Sequence, residues 1–277
     1  MAYETRAAGK WCGIACAMLL ASALPARGAP AEVNMSSMPA PHYVAVPAGQ
    51  LRSVLSTGSA AQTPVSVAAF ALRETVVTNS EFAAFLDRHP EWQKAAVPEV
   101  FADPGYLHAL AFDMRHENAA AAVTSVSWFA AQAYCESEAA RLPNWYEWEY
   151  VAAADARRRD ARDDPQWRAR ILNWYAQPAT RTRAAAGGAP NAYGVRDMHG
   201  LVWEWVADFN ALLVAADSRN QGDPDQLQYC GAGAISLQDR DNYAVLMRIA
   251  LLSSLNGKDT TDSLGFRCAR STETESK

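Results

Sequence analysis

Gly200-Leu201-Val202-Trp203-Glu204-Trp205 places two indole rings on either side of one carboxylate within six residues. The stretch around it, Val195 to Asp208, is dense in aromatics, and nine tryptophans are spread along the 277 residues. Each such ring can bury ~150–250 Å2, enough to pin an ordered loop to a core without a long helix or strand. Outward from this stretch the regular patterns are short. Short helices, short strands and long ordered loops predict a single α+β domain rather than a parallel α/β sheet.

Tyr43 to Pro47 alternates like a strand and stops at Ala48-Gly49. Val65 to Phe70 and Ala71 to Val77 carry β-branched runs that read as two further strands around a bend. Thr78 and Glu81 have the spacing of a capping box, in which the hydroxyl accepts one end amide and the carboxylate reaches back to another. The helix so opened sets Phe82, Phe85 and Leu86 on one face. It ends near His89-Pro90, because the residue before a proline is pushed out of the helical region. Residues 91–122 read as long loops with short helical pieces. Ser127 caps a second helix, Trp128 to Ala140, which Arg141-Leu142-Pro143 breaks. Asn144, with Glu147 three residues on, caps a third helix rich in buried rings. A fourth pattern runs from Pro165 to Trp174, with proline in its first turn. Residues 176–192 form a loop. The region after 210 reads as loop-rich, with short apolar runs at 243–252 and 264–268.

Arg6 and Lys10, the apolar run Trp11 to Leu24 and the small residues Ala26 and Gly28 read as a signal peptide over residues 1–28. The run is shorter than the about 20 apolar residues a bilayer span needs, and no membrane span is expected once it is removed. A proline-rich linker (29–42), a domain (43–271) and a polar tail (272–277) follow. The mature chain is expected to be periplasmic or secreted, with Cys135, Cys230 and Cys268 in an oxidising space. Three cysteines predict one bridge and one leftover thiol, and counting does not decide which two pair. The net charge is −5, and Arg157, Arg158 and Arg159 are offset by Asp160, Asp163 and Asp164. Such a balance leaves no basic surface for nucleic acid. No G-x-S-x-G elbow, phosphate loop or dinucleotide fingerprint occurs, and the five histidines form no close pair.

Six blocks in order carry a resemblance. They are Val77-Thr78-Asn79 with Glu81-Phe82, Val126-Ser127-Trp128 with Ala133-Tyr134-Cys135, Arg141-Leu142-Pro143 with Glu147-Trp148-Glu149-Tyr150, Asn191-Ala192-Tyr193-Gly194, the Gly200–Trp205 stretch, and Gly265-Phe266-Arg267-Cys268. Together, across residues 43–270, they resemble the formylglycine-generating enzyme (sulfatase-modifying factor) family, a group that also includes domains of EgtB and PvdO type. The fold this implies is a C-type-lectin-like variant with little regular secondary structure. Phe112 onward, Phe209 to Arg219 and Tyr229 to Ala234 look closest to the NirV-type branch, which is associated with copper nitrite reductase systems.

The resemblance implies a Cys135–Cys268 disulfide. It also carries a calcium site onto the Asp197 and Glu204 side chains and the Gly200 and Val202 carbonyls; oxygen donors of this kind suit a hard cation. The competing reading has Asp197 capping a turn and Glu204 pairing with an arginine. The family's copper site departs. Two thiolates hold Cu(I) there, just after a Gly-Gly-Ser-aromatic block that here reads Gly231-Ala232-Gly233-Ala234. The matching positions fall at Ser236 and near Asp241, and no cysteine lies between 231 and 267. Hydroxyl and carboxylate groups do not replace a dithiolate for a soft ion. Cys230 is a candidate reactive thiol beside that block, with Met247 or His199 as auxiliary copper donors; the competing reading is a buried, inert thiol. Two functions follow. One is a non-catalytic binding or accessory protein whose partner is another envelope protein or a peptide, in a copper nitrite reductase system. The other is a formylglycine-generating oxidase, or another metal-dependent oxidase, working through Cys230 and further ligands.

Overall fold

A computed structural model describes residues 40–53, 55, 64–108, 118–176, 185–212 and 243–272. The signal segment, nearly all of the linker and the polar tail, and Cys230, Ser236 and Asp241, lie outside the described residues.

The strands are β1 (Tyr43–Val46), β2 (Gly49–Leu51), β3 (Val65–Val67), β4 (Phe70–Arg73), β5 (Trp203–Glu204), β6 (Leu264–Gly265) and β7 (Ala269–Ser271). The helices are α1 (Asn79–Arg88), α2 (Trp128–Ser137), α3 (Trp145–Ala152), α4 (Pro165–Tyr175) and α5 (Tyr243–Ser253). β4 pairs antiparallel with β1 and β7, with Tyr43 opposite Arg73 and Leu72 opposite Ala269. The first and last described strands thus share one central neighbour. β2 and β3 form an antiparallel pair, and β5 and β6 a parallel one. Gly265 fits in β6 because a Cβ there would stand 2.5 Å from the Val123 carbonyl oxygen.

Helix starts follow the local chemistry. Thr78 and Glu81 form a reciprocal capping box on α1, and Asn144 and Glu147 form another on α3. The Ser127 side chain accepts from the Ala130 amide, and Asp164 caps α4 ahead of Pro165. Each cap satisfies end amides that the helix itself leaves open, and is worth about 1 kcal/mol.

Three readings are corrected. α2 stops at Ser137 instead of continuing to Ala140. Ala139 takes a left-handed φ of 52°, and the amides of Ala140 and Ala139 close onto the carbonyls of Cys135 and Glu136, both at 2.9 Å. This is the paired closure usually made by a glycine. Ala139→Gly is therefore expected to stabilise the chain by about 0.5–1 kcal/mol, the relief of a Cβ clash less the extra freedom of the unfolded glycine. A urea titration showing equal or lower stability would contradict this. The run 243–252 is helical, as α5, because an all-round apolar segment has no period to read. Chain pairing also resumes at Gly49, as β2, where the strand was expected to stop.

The core is aromatic. Phe82 and Phe85 of α1 meet Tyr134 of α2 and Phe266, with ring centroids 5.3 to 6.1 Å apart. Trp145, Trp148 and Trp205 are buried completely or nearly so. Cys135 of α2 is bonded to Cys268, one residue before β7, with a Cα–Cα distance of 5.4 Å. Arg73, also buried, is held by Glu81 and by Glu138 at 3.2 Å. No described helix is long and apolar enough to cross a membrane.

Candidate functional site

The Trp203–Trp205 segment divides its side chains between surface and interior. Trp203 is half-buried and packs against Tyr175 and Trp174 at the end of α4, at 4.5 and 5.9 Å between centroids. Trp205 points into the core and donates to the Val126 carbonyl at 2.9 Å. Glu204 between them is wholly buried. Its carboxylate accepts both Nε and Nη2 of Arg267 at 2.8 Å, and Trp148 Nε1 at 3.0 Å.

Arg267 is equally buried, and all its donor nitrogens are engaged. Nη1 reaches the Arg73 and Glu74 carbonyls at 3.3 Å, and Nη2 also reaches the Arg196 carbonyl at 3.0 Å. A second buried guanidinium, Arg248 of α5, lies 3.6 Å over the Trp148 ring and donates to the Glu204 carbonyl. Its Nε has no partner among the described residues. Burial pulls Arg248 down to about 10, against the opposing pull of Glu204. Trp148 thus serves twice: its ring face holds one arginine by cation–π attraction while its N–H holds the carboxylate that binds the other.

The four residues expected to bind calcium are placed apart in role. Asp197 sits in the left-handed region at φ 56°, which short polar side chains tolerate. Its carboxylate accepts the Gly187 amide at 2.7 Å and the Gly188 amide at 3.1 Å, closing a loop. Glu204 is taken by Arg267 and Trp148. As arranged, the set does not fit a calcium shell: a dication bridging the two carboxylates would displace a bidentate guanidinium and sit close to a second one. The competing reading of these residues describes what is present. Chelation is accordingly expected to move the melting temperature by no more than about 1 °C. A fall of several degrees, reversed by calcium, would contradict that. No cluster of three histidine, cysteine, aspartate or glutamate side chains able to hold a metal occurs among the described residues. Of the auxiliary copper donors, Met247 is 41% exposed on α5, and His199 donates from Nε2 to the Ala152 carbonyl at 2.9 Å.

His199 opens the one feature that sequence reasoning missed. Part of the residue is exposed, yet its ring stands edge-on to Trp148 and Trp167, both at 5.7 Å, and its Nδ1 is buried without a partner. Burial pushes the imidazole down to about 4, so it is neutral at pH 7. The ring forms part of the wall of a cavity of about 350 Å3 between α4, residues 154–156 and the 189–200 loop. Trp167, Arg170, Ile171 and Trp174 line it from α4 at helical spacings of three and four, with Asp197 and Gly200 opposite. A repeat of Trp, Arg, Ile and Trp on one helix face was the available signal, and it reads equally well as core.

Residues 29–272 match the sulfatase-modifying factor enzyme 1-like domain. The chain is 32% identical over 166 residues to the formylglycine-generating enzyme of Streptomyces coelicolor, covering 53% of this chain and 52% of that one. It is 29% identical to the hercynine oxygenase of Mycolicibacterium smegmatis, over 52% of this chain and 38% of that one. It is 27% identical to the inactive C-alpha-formylglycine-generating enzyme 2 of Bos taurus, over 53% and 49%. The chain spans about half or less of the length of these curated relatives. A family match over residues 29–272, most of the sequence, makes this chain a member of the sulfatase-modifying factor enzyme 1-like domain family.

Proposed function

We propose that this chain is a binding or accessory member of its family rather than an oxidase. The observation that carries the reading is the lack of any cysteine between residues 231 and 267, where the family's copper dithiolate would stand. With Cys135 and Cys268 joined to each other, neither is free to replace it. One of its relatives carries a name that describes it as inactive, which supports the same reading. The disulfide and the leader-like first 28 residues support export to an oxidising compartment. The NirV-like stretches support service to a copper nitrite reductase system in the cell envelope. The C-type-lectin-like description of the fold belongs to the same proposal, supported by the outer strands β1 and β7 meeting on β4 and by loops held with rings.

The second reading, a formylglycine-generating or other metal-dependent oxidase, is favoured by the 32% identity to a formylglycine-generating enzyme. One experiment separates the two. The chain without residues 1–28, loaded with Cu(I), is incubated with oxygen and a Cys-x-Pro-x-Arg peptide, and the peptide is weighed by mass spectrometry. The binding reading requires an unchanged peptide mass. A copper-dependent loss of mass sinks it and establishes the oxidase.

A further inference from the structure

Asn256-Gly257 is the one asparagine–glycine pair in the sequence; no other asparagine precedes a glycine. It lies just past α5, where the Asp259 amide donates to the Asn256 carbonyl at 3.0 Å and closes a turn. Asn256 is exposed. Gly257 is half-buried against Phe129, and a Cβ on it would stand 3.0 Å from that ring. Its carbonyl accepts the Trp128 amide at 2.9 Å, one of the end amides that α2 itself leaves open. The packing therefore calls for glycine, and glycine puts no side chain in the way of its own nitrogen.

That nitrogen is also free. The Gly257 amide donates no hydrogen bond among the described residues. The amides that follow Asn79, Asn144, Asn191 and Asn210 are all engaged. Ser80 donates to the Ala119 carbonyl, Trp145 to the Asp208 carboxylate, Ala192 to the Asp155 carbonyl and Ala211 to the Asp208 carbonyl, at 2.7 to 3.0 Å. The Asn256 carboxamide donates from Nδ2 to the Asp259 carboxylate at 3.1 Å, while its Oδ1 accepts nothing among the described residues. A single exposed bond competes with water and does not lock the side chain.

We propose that Asn256 is a site of spontaneous deamidation, through a cyclic imide formed with Gly257. Hydroxide takes the Gly257 amide proton, and the nitrogen attacks Cγ of Asn256. The N–Cγ bond forms, the Cγ–Nδ2 bond breaks, and Nδ2 leaves as ammonia with a proton returned from water. Water then adds to one of the two imide carbonyls, and the C–N bond of that carbonyl breaks. Opening at Cγ gives aspartate; opening at the main-chain carbonyl gives isoaspartate, whose chain runs on through Cγ. No oxidant or cofactor is consumed. Either product sets a second carboxylate beside Asp259. Isoaspartate also lengthens the main chain by one methylene just ahead of the carbonyl that receives Trp128.

The test holds the full chain at pH 7 and at pH 9 without denaturant, and then digests it briefly with trypsin. Cleavage after Arg248 and Lys258 isolates residues 249–258, in which Asn256 is the one asparagine. Mass spectrometry is expected to show a gain of about 1 Da in this peptide, the exchange of an amide for an acid. The gain is expected at a rate at least about 10-fold above that of the peptides holding Asn79, Asn144 and Asn191. It should run faster at pH 9, because the attacking amide must lose its proton. Chromatography should resolve two products of equal mass, aspartate and isoaspartate, and Asn256→Gln should abolish the gain. Aspartate as the sole product would mean direct hydrolysis and would overturn the proposal. So would a rate no higher than at the other asparagines, or conversion in urea with none in the native chain.

Discussion

Replacing both Cys135 and Cys268 by alanine is expected to destabilise the chain by about 4–5 kcal/mol, with a fall in melting temperature on the order of 10 °C. The bridge joins residues 133 apart, so the loop it closes takes in about half of the 277-residue chain. Cross-linking restricts the unfolded ensemble more as that loop lengthens. The packing context adds to this. Cys135 lies on the buried face of α2, and Cys268 stands where the chain enters β7. β7 is only three residues long, with β4 along one side and a single pairing, Arg141 to Ala269, on the other. Freed from the bridge, it has β4 and the reciprocal Arg141–Ala269 amide bonds to hold it. Denaturant titration of wild type with and without reductant, beside the double variant, measures the effect. Agreement between reduced wild type and the variant is expected; a loss below about 1 kcal/mol in both would show that β7 is secured by other means.

The second large effect concerns Arg267. Arg267→Met is expected to cost ~3–5 kcal/mol, because it leaves the Glu204 carboxylate buried beside the core with Trp148 as its remaining side-chain donor. It also removes the guanidinium's bonds to the carbonyls of Arg73, Glu74 and Arg196, gathered from two separate parts of the chain, although the Glu74 carbonyl keeps the Arg196 amide at 2.8 Å. Glu204→Gln is expected to cost a comparable amount for the opposite reason: two buried guanidiniums, Arg267 and Arg248, would then face each other without an anion. The double variant should lose less than the sum of the two, since the second change removes a charge that the first left unpaired. A strictly additive cycle would mean that Glu204 and Arg267 are not coupled, and the account of this pair would fail.

The parts of the fold that were legible in the sequence are those fixed by neighbours. Thr78 with Glu81, and Asn144 with Glu147, declare their helices because both members of each capping box lie within four residues. The stop at His89 is declared by Pro90. Ala139 declares nothing: its left-handed turn is the sort of position at which glycine gives a signal and alanine does not. α5 was hidden by its own uniform apolarity, which lets it pack but removes the polar face that marks a helix. At the site the difficulty is distance. Glu204 and Arg267 are 63 residues apart, and whether that carboxylate meets an arginine or a cation is decided by the β5–β6 pairing that brings them together. The family resemblance pointed to calcium, and the residues alone left an arginine open. The cavity beside His199 was invisible because three separate segments enclose it, and an unpartnered Nδ1 exists only once its ring is placed.

The central claim is that this family scaffold stands without the sulfur pair that grips copper. X-ray absorption at the copper edge, on Cu(I)-loaded chain with residues 1–28 removed, reads the number of sulfur neighbours directly. The account predicts at most one thiolate sulfur, from Cys230, and loss of even that in Cys230→Ser. A shell of two thiolate sulfurs per copper, retained in Met247→Leu, in the oxidised, disulfide-containing chain would contradict it.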